Sequence, residues 1–197
     1  SDSVDEAISV VFGSRDITIQ WCHFLRWEKV MLFGNGDAAP ALDEQISVTV
    51  HHNYAEATGR RHPQARYGRY DFFDNYWNDW RMYGWIFEPP FRDAFAMHCQ
   101  DRCRLIAENN AFRRTFHTMD VGSRADQGTS CATGGAVEER GSYTARGSTA
   151  SIRFGVGCPT GAAARAFERP YALRTLEPAN EELVGRLTRE TGPRPAM

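Results

Sequence analysis

The residues of this chain best suited to chemistry are His98, Cys99, Asp101 and Cys103, all within six positions. Cys99 and Cys103 stand four apart, which on a helix puts both thiols on one face. Two thiolates on one face can begin a zinc site, but such a site needs further ligands. Cys131, Cys158, His117 or His23 would have to supply them, and no second closely spaced pair exists. The expected state is therefore buried or disulfide-bonded cysteines, drawn from Cys99, Cys103, Cys131 and Cys158, with no metal and no cofactor. The total of five cysteines leaves at least one unpaired.

Other candidates carry plainer readings. His51 and His52 follow a strand-like run, and adjacent strand residues point to opposite faces. Residues 66–85 mix arginines with Trp77, Trp80 and Trp85. Such rings can stack on bases or sugars, but the interleaved aspartates favour packing and an interface built on Tyr76, Trp77, Trp80, Arg81 and Trp85. Gly34-Asn35-Gly36-Asp37 and Gly155-Val156-Gly157 match no phosphate loop and read as turns. G-x-S-x-G, H-E-x-x-H and the EF-hand loop do not occur.

These residues need elements to position them. Ile8 to Phe12, Asp16 to Trp21, Phe24 to Phe33 and Gln45 to His51 are rich in β-branched and aromatic residues and read as strands. Turn residues lie between them, so an N-terminal antiparallel meander is expected. Residues 54–66, with Gly59, Arg60, Arg61, His62 and Pro63, read as a polar connection. A dense aromatic block follows, from Tyr67 to Phe87. Phe91, Phe95, Cys99 and Cys103 recur at four-residue spacing, which predicts one long helix to about Phe116, broken or kinked at Asn109-Asn110. Residues 122–161 are rich in glycine, serine and threonine. Ser151 to Gly157 predicts a late strand, and Glu181 to Arg189 a short helix capped by Asn180. No internal repeat is evident. The expected fold class is α+β, in three parts: a β-rich 1–53, an aromatic block and helix over 54–121, and a Gly/Ser-rich extension over 122–197 ending in the short helix.

Arg66-Tyr67-Gly68-Arg69-Tyr70 resembles the calcium loop of plant-type secretory phospholipases A2. The segment from Asp93 to Cys103 resembles that family's catalytic helix, with one residue inserted, and the likeness spans residues 66–110. It implies His98 and Asp101 as catalytic residues of a calcium-dependent lipid hydrolase, and Tyr67, Gly68, Tyr70 and Asp101 around the cation. The departures point to a degenerate relative. Asp71 and Phe72 replace the loop's cysteine and glycine, and Phe95-Ala96 replace its cysteine pair. His98 and Asp101 are three residues apart rather than adjacent.

Composition sets the remaining expectations. A net charge of −2 gives no general attraction to nucleic acid. No stretch approaches the roughly 20 apolar residues that cross a bilayer. Lys29 is the only lysine; arginine with abundant aromatics suits buried interfaces. The start at Ser1, without a basic and apolar leader, suggests a processed chain. Together these predict a non-catalytic accessory or structural subunit bound to other protein subunits, in an organelle such as the mitochondrion or in a virion rather than secreted. A lipid hydrolase is the alternative, and an aromatic binding module for nucleic acid or carbohydrate the second.

Overall fold

A computed structural model of the chain describes residues 5–35, 40–59, 61–78, 97–113, 119–121, 135–144, 152–154, 166–173 and 175–193. Short strands follow one another in chain order: β1 (Ile8–Val10), β2 (Ile17–Gln20), β3 (His23–Leu25), β4 (Met31–Phe33), β5 (Ser47–His51), β6 (Tyr54–Glu56), β7 (Gln64–Arg66), β8 (Arg69–Phe73) and β9 (Tyr76–Asn78). They continue as β10 (Met97–Gln100), β11 (Arg104–Glu108), β12 (Ala111–Arg113), β13 (Met119–Val121), β14 (Ala136–Arg140), β15 (Tyr143–Thr144) and β16 (Ile152–Phe154). Two helices accompany them, α1 (Pro40–Asp43) and α2 (Glu181–Glu190).

Every third strand joins the same sheet. Sheet A runs β1-β4-β7-β10-β13-β16, sheet B β14-β11-β8-β5-β2, and sheet C β15-β12-β9-β6-β3. The paired strands are parallel throughout. The chain therefore winds as a three-sided parallel β-helix, each coil adding one strand to each sheet. In such a stack every coil buries its apolar side against the next, so neighbouring coils share one core.

Register puts like positions on top of one another. In sheet B, Ile19 pairs with Val50, Val50 with Phe72, and Phe72 with Ala107. In sheet C, Phe24, Ala55, Trp77 and Phe112 line up in the same way. All of these point inward and are buried. The small Ala55 beside Trp77 and Ala107 beside Phe72 keep the interior close-packed without overfilling it.

The corner between sheets B and C is the most regular feature. It is a two-residue turn in each coil, and its first residue has left-handed backbone: Trp21, His52, Asp74, Asn109 and Gly141. In three successive coils the second residue is a buried asparagine, Asn53, Asn75 or Asn110. The Asn53 backbone N–H and side-chain amide both donate to Asn75 Oδ1 at 3.0 Å. The Asn75 amide donates to Asn110 Oδ1 at 2.9 Å and to the Val50 carbonyl at 2.9 Å. The Asn110 amide donates to the Phe72 carbonyl at 3.0 Å. This ladder satisfies polar groups that a sharp interior corner would otherwise strand. Outside it, Tyr54 and Tyr76 stack at 5.0 Å, as do His51 and Phe73 at 4.8 Å.

The C-terminal part wraps this prism. Asn180 caps α2 by accepting from the Glu182 and Leu183 backbone N–H groups. Leu183, Val184 and Leu187 then pack on Tyr54, Tyr76 and Ala111 of sheet C. Residues 166–173 cross the outer face of sheet B. There Arg169 forks onto Asp71 (2.6 and 2.8 Å) and reaches Glu108 at 2.6 Å, and the Tyr171 hydroxyl also donates to Asp71. Burial opposes the Arg169 charge, but these carboxylates outweigh it and raise its pKa. Arg169→Leu would leave buried Asp71 without its cation and Glu108 with only the more distant, half-exposed Arg140 at 3.8 Å. It is expected to cost about 3–5 kcal/mol of stability in urea unfolding; a loss below about 1 kcal/mol would show that this segment docks without the arginine.

The α+β expectation is corrected. Strands do form near the predicted N-terminal runs, but no antiparallel meander forms. β1 and β2 lie in different sheets, and each strand finds its partner a full coil later. The long helix is replaced, over the described residues 97–113, by β10, a turn, β11 and β12; residues 91–96 and 114–116 lie outside the described residues. The four-residue spacing of Cys99 and Cys103 reflects a tight strand-to-strand turn closed by a disulfide, with Cα atoms 5.5 Å apart. A coil repeat does exist, although none is evident in the sequence. The strand at 152–154 and the helix capped by Asn180 form where the sequence places them.

Candidate active site at the edge of sheet A

Sheet A begins at the turn that leaves sheet C, and three coils bring charged residues to that edge side by side. Asp5 and Glu6 precede β1, Glu28 and Lys29 precede β4, and Arg61 precedes β7. Backbone pairing fixes their order. The Ala7 N–H donates to the Lys29 carbonyl at 3.1 Å, and the Met31 N–H to the Arg61 carbonyl at 2.8 Å. The Trp27 indole donates to the Asp5 carbonyl at 3.1 Å. Gly59 lets the second and third coils meet here, since a Cβ at this position would sit 2.5 Å from the Glu28 carbonyl oxygen.

Arg61 is the centre of this edge. It holds left-handed backbone at φ +64°, and its guanidinium pairs with Glu6. Burial lowers its pKa, the nearby positive charge of Arg66 lowers it further, and Asp5 acts in the opposite sense. A guanidinium destabilised in this way stands closer to releasing a proton than one in water. Such a perturbed group among charged side chains from neighbouring coils marks a functional candidate.

The outer face of sheet A continues the polar surface. Gln64 and Arg66 point outward, with Ala65 between them in the core. The register sets His98 beside Gln64 and Gln100 beside Arg66. The Gln64 amide donates to Gln100 Oε1 at 3.0 Å. Arg66 lies 3.8 Å from Asp101 and reaches the Gly34 carbonyl at 3.5 Å. A carboxylate-bearing chain laid along this face would meet Lys29, Arg61 and Arg66, with neutral amide donors beside them.

The residues singled out from sequence fall in scattered places. His98 is buried on β10, and Asp101 sits in the following turn beside Arg66. Tyr67 is buried. Gly68 is packed so tightly that a Cβ there would meet the Tyr70 hydroxyl at 2.4 Å. Tyr70 points into the core and donates its hydroxyl to the Arg66 carbonyl at 2.6 Å, so segment 66–70 is strand and turn packed on the core. Tyr76 and Trp77 are buried, Tyr76 under α2 and Trp77 in the interior. Trp80, Arg81, Trp85, Cys131 and Cys158 lie outside the described residues. His51 lies on sheet B, its pKa lowered to about 4 by burial and then by neighbouring His52.

Of the residues that do converge, Arg66 opens the segment that resembles a calcium loop, while Glu6, Lys29 and Arg61 carry no site role in the sequence. The available signals were the solitary lysine and the arginine pair in a segment read as mere connection. No short motif joins them, because they come from three different coils.

Comparison with known proteins assigns the fold. A family model described as pectate lyase matches residues 1–167. A curated relative, pectate lyase 1 of Hesperocyparis arizonica, is 39% identical over 84 residues, covering 42% of this chain and 23% of the relative. The major cedar pollen allergen jun a 1 superposes with a TM-score of 0.70 at 20% identity, covering 96% of this chain and 50% of the allergen. A pectate lyase studied for substrate specificity and its anti β-elimination mechanism superposes with a TM-score of 0.59 at 18% identity, covering 95% of this chain and 43% of that one. The chain thus spans half or less of the length of these relatives.

These matches overturn the phospholipase A2 resemblance, whose described residues, 66–70 and 97–103, fall on β-helix strands and turns. The hydrolase roles it implied for His98 and Asp101, and the cation roles for Tyr67, Gly68 and Tyr70, lose their basis. The reading as a non-catalytic structural subunit of a mitochondrial or other complex is likewise replaced by kinship with enzymes. With 167 of its 197 residues matched by one family model, this chain belongs to the pectate lyase family.

Proposed function

We propose that this chain carries the catalytic face of a polysaccharide lyase that cleaves polygalacturonate-type chains by β-elimination. The observation that carries the reading is Arg61, half-buried at the edge of sheet A with its guanidinium destabilised by burial and by Arg66. In a uronide the hydrogen on C5 is acidified by the adjacent carboxylate. A base removes that proton, the C5–H electrons form the C4=C5 double bond, and the C4–O4 bond breaks. The leaving oxygen takes up a proton, and one product carries an unsaturated uronide end.

Arg61 is placed to act as that base. An arginine base must hold its unprotonated form when substrate is bound, so a lowered pKa favours the role. Lys29 and Arg66 flank it and would bind the uronide carboxylate while negative charge builds on it in the transition state. Gln64, anchored on buried Gln100, offers its amide to sugar hydroxyls. Asp5 and Glu6 supply carboxylate oxygens of the kind that hard divalent cations take.

The test is incubation of the purified chain with polygalacturonate, with added calcium in one arm and a chelator in the other. Ultraviolet absorbance of the unsaturated uronide is expected to grow in at least one arm. Absence of unsaturated ends in both arms, with a folded chain verified by circular dichroism, would overturn the reading.

A further inference from the structure

At a different corner of the prism, between sheets B and C, a second polar centre lies outside the sheet A edge. His52 and Asp74 occupy the same turn position in successive coils, and Glu177 arrives from the segment before α2. One ligand atom from each of the three can be chosen so that all lie within 4.8 Å of one another. His52 Nε2 is 2.8 Å from Glu177 Oε1 and 3.9 Å from Asp74 Oδ2. The Glu177 backbone N–H donates to that same Asp74 oxygen at 3.1 Å. Asp74 is fully buried, and its other oxygen, Oδ1, has no hydrogen-bond partner among the described residues. A buried carboxylate oxygen without a donor is costly unless something cationic meets it.

We propose that His52, Asp74 and Glu177 bind a divalent transition-metal ion of the zinc class. One imidazole nitrogen and two carboxylates form a mixed nitrogen and oxygen set, which suits zinc better than calcium or magnesium. The imidazole is already oriented. Its other nitrogen, Nδ1, is 2.7 Å from His51 Nδ1, and its ring stacks on Trp21 at 4.8 Å. A second hydrogen-bonded partner of this kind commonly fixes the tautomer and direction of a metal-binding histidine. Arg186 also pairs with Glu177 and stands 5.1 Å over the Trp21 ring, so it competes with the ion and moderates its affinity. The bound ion clips the C-terminal segment onto the β-helix, a role independent of sugar cleavage.

Equilibrium dialysis of the full chain against zinc chloride, paired with thermal unfolding, tests this site. The unmodified chain is expected to bind one more zinc than either Glu177→Gln or His52→Gln. At a zinc concentration about 100 times Kd its Tm is expected to rise by roughly 5–10 °C, with no such rise in the variants, and with any rise in calcium chloride the same in all three proteins. Glu177 is partly exposed, so its isosteric change leaves a folded protein for comparison. Equal zinc stoichiometry in all three proteins, or a Tm that zinc does not move, would overturn the site. Neither outcome bears on the uronide lyase reading, which is assayed separately.

Discussion

Arg61→Ala is expected to lower kcat on polygalacturonate about 100- to 10,000-fold, the range over which a positioned base contributes. The strand contact of this residue runs through its backbone carbonyl and the Met31 N–H, so the register is kept, but the buried Glu6 carboxylate loses its partner and stability falls, which urea unfolding checks beside the rate. Arg61→Lys separates a base from a merely structural cation. Lysine keeps the charge, but its ordinary pKa, about 10.4, lies well below that of arginine. The working base must be neutral, so rate rises with pH along an alkaline limb. The lysine variant is expected to retain part of the activity, with that limb moved to lower pH. An unchanged pH profile together with unchanged kcat would remove Arg61 from the chemistry. Lys29→Ala and Arg66→Ala are expected instead to raise KM as well as lower kcat, since they meet a carboxylate present in both ground and transition states.

Asn75→Leu is expected to be the most damaging change in the corner ladder, destabilising the fold by about 4 kcal/mol or more. Asn75 sits in the middle rung. Its oxygen accepts two bonds from Asn53, and its amide serves the Val50 carbonyl and Asn110 Oδ1. Leucine would strand the Asn53 backbone N–H and take the amide donor from the Val50 carbonyl in a fully buried corner, each at about 1–3 kcal/mol, while the Asn53 amide keeps the Ile19 and His51 carbonyls. It would also need volume that the packed coils lack. Urea unfolding followed by circular dichroism reads the effect. A cost below about 1 kcal/mol would mean that the coils stack through their strands alone. Because repeat stability is largely nearest-neighbour, the loss is expected to spread to β6, β9 and β12, which flank the ladder.

Local features of this fold were legible from residues alone. Alternating Ile17, Ile19 and the run Val48 to Val50 announce strands, and Asn180 ahead of Glu181-Glu182 announces a helix start. The repeat was not legible, and spacing explains why. Leu32 meets Gln64, Gln64 meets His98, and His98 meets Asp120, so the chain takes between 22 and 34 residues to return to sheet A. A period that varies so widely leaves no fixed-length echo in the sequence. Only the two-residue B–C corner keeps its length, and its signature is single asparagines scattered at Asn53, Asn75 and Asn110. The aromatic block carried a packing signal without a place for it. Of Tyr76, Trp77, Trp80, Arg81 and Trp85, Tyr76 is buried under α2 and Trp77 within the prism, and the other three lie outside the described residues.

The sequence by itself determined that short β-strands and a capped terminal helix form, because those depend on side-chain shape and on neighbours a few residues away. Which strand lies beside which, and therefore that Glu6, Lys29, Arg61 and Arg66 share one edge, was decided by tertiary structure alone. Parallel pairing joins residues separated by a whole coil, and no local preference encodes that distance.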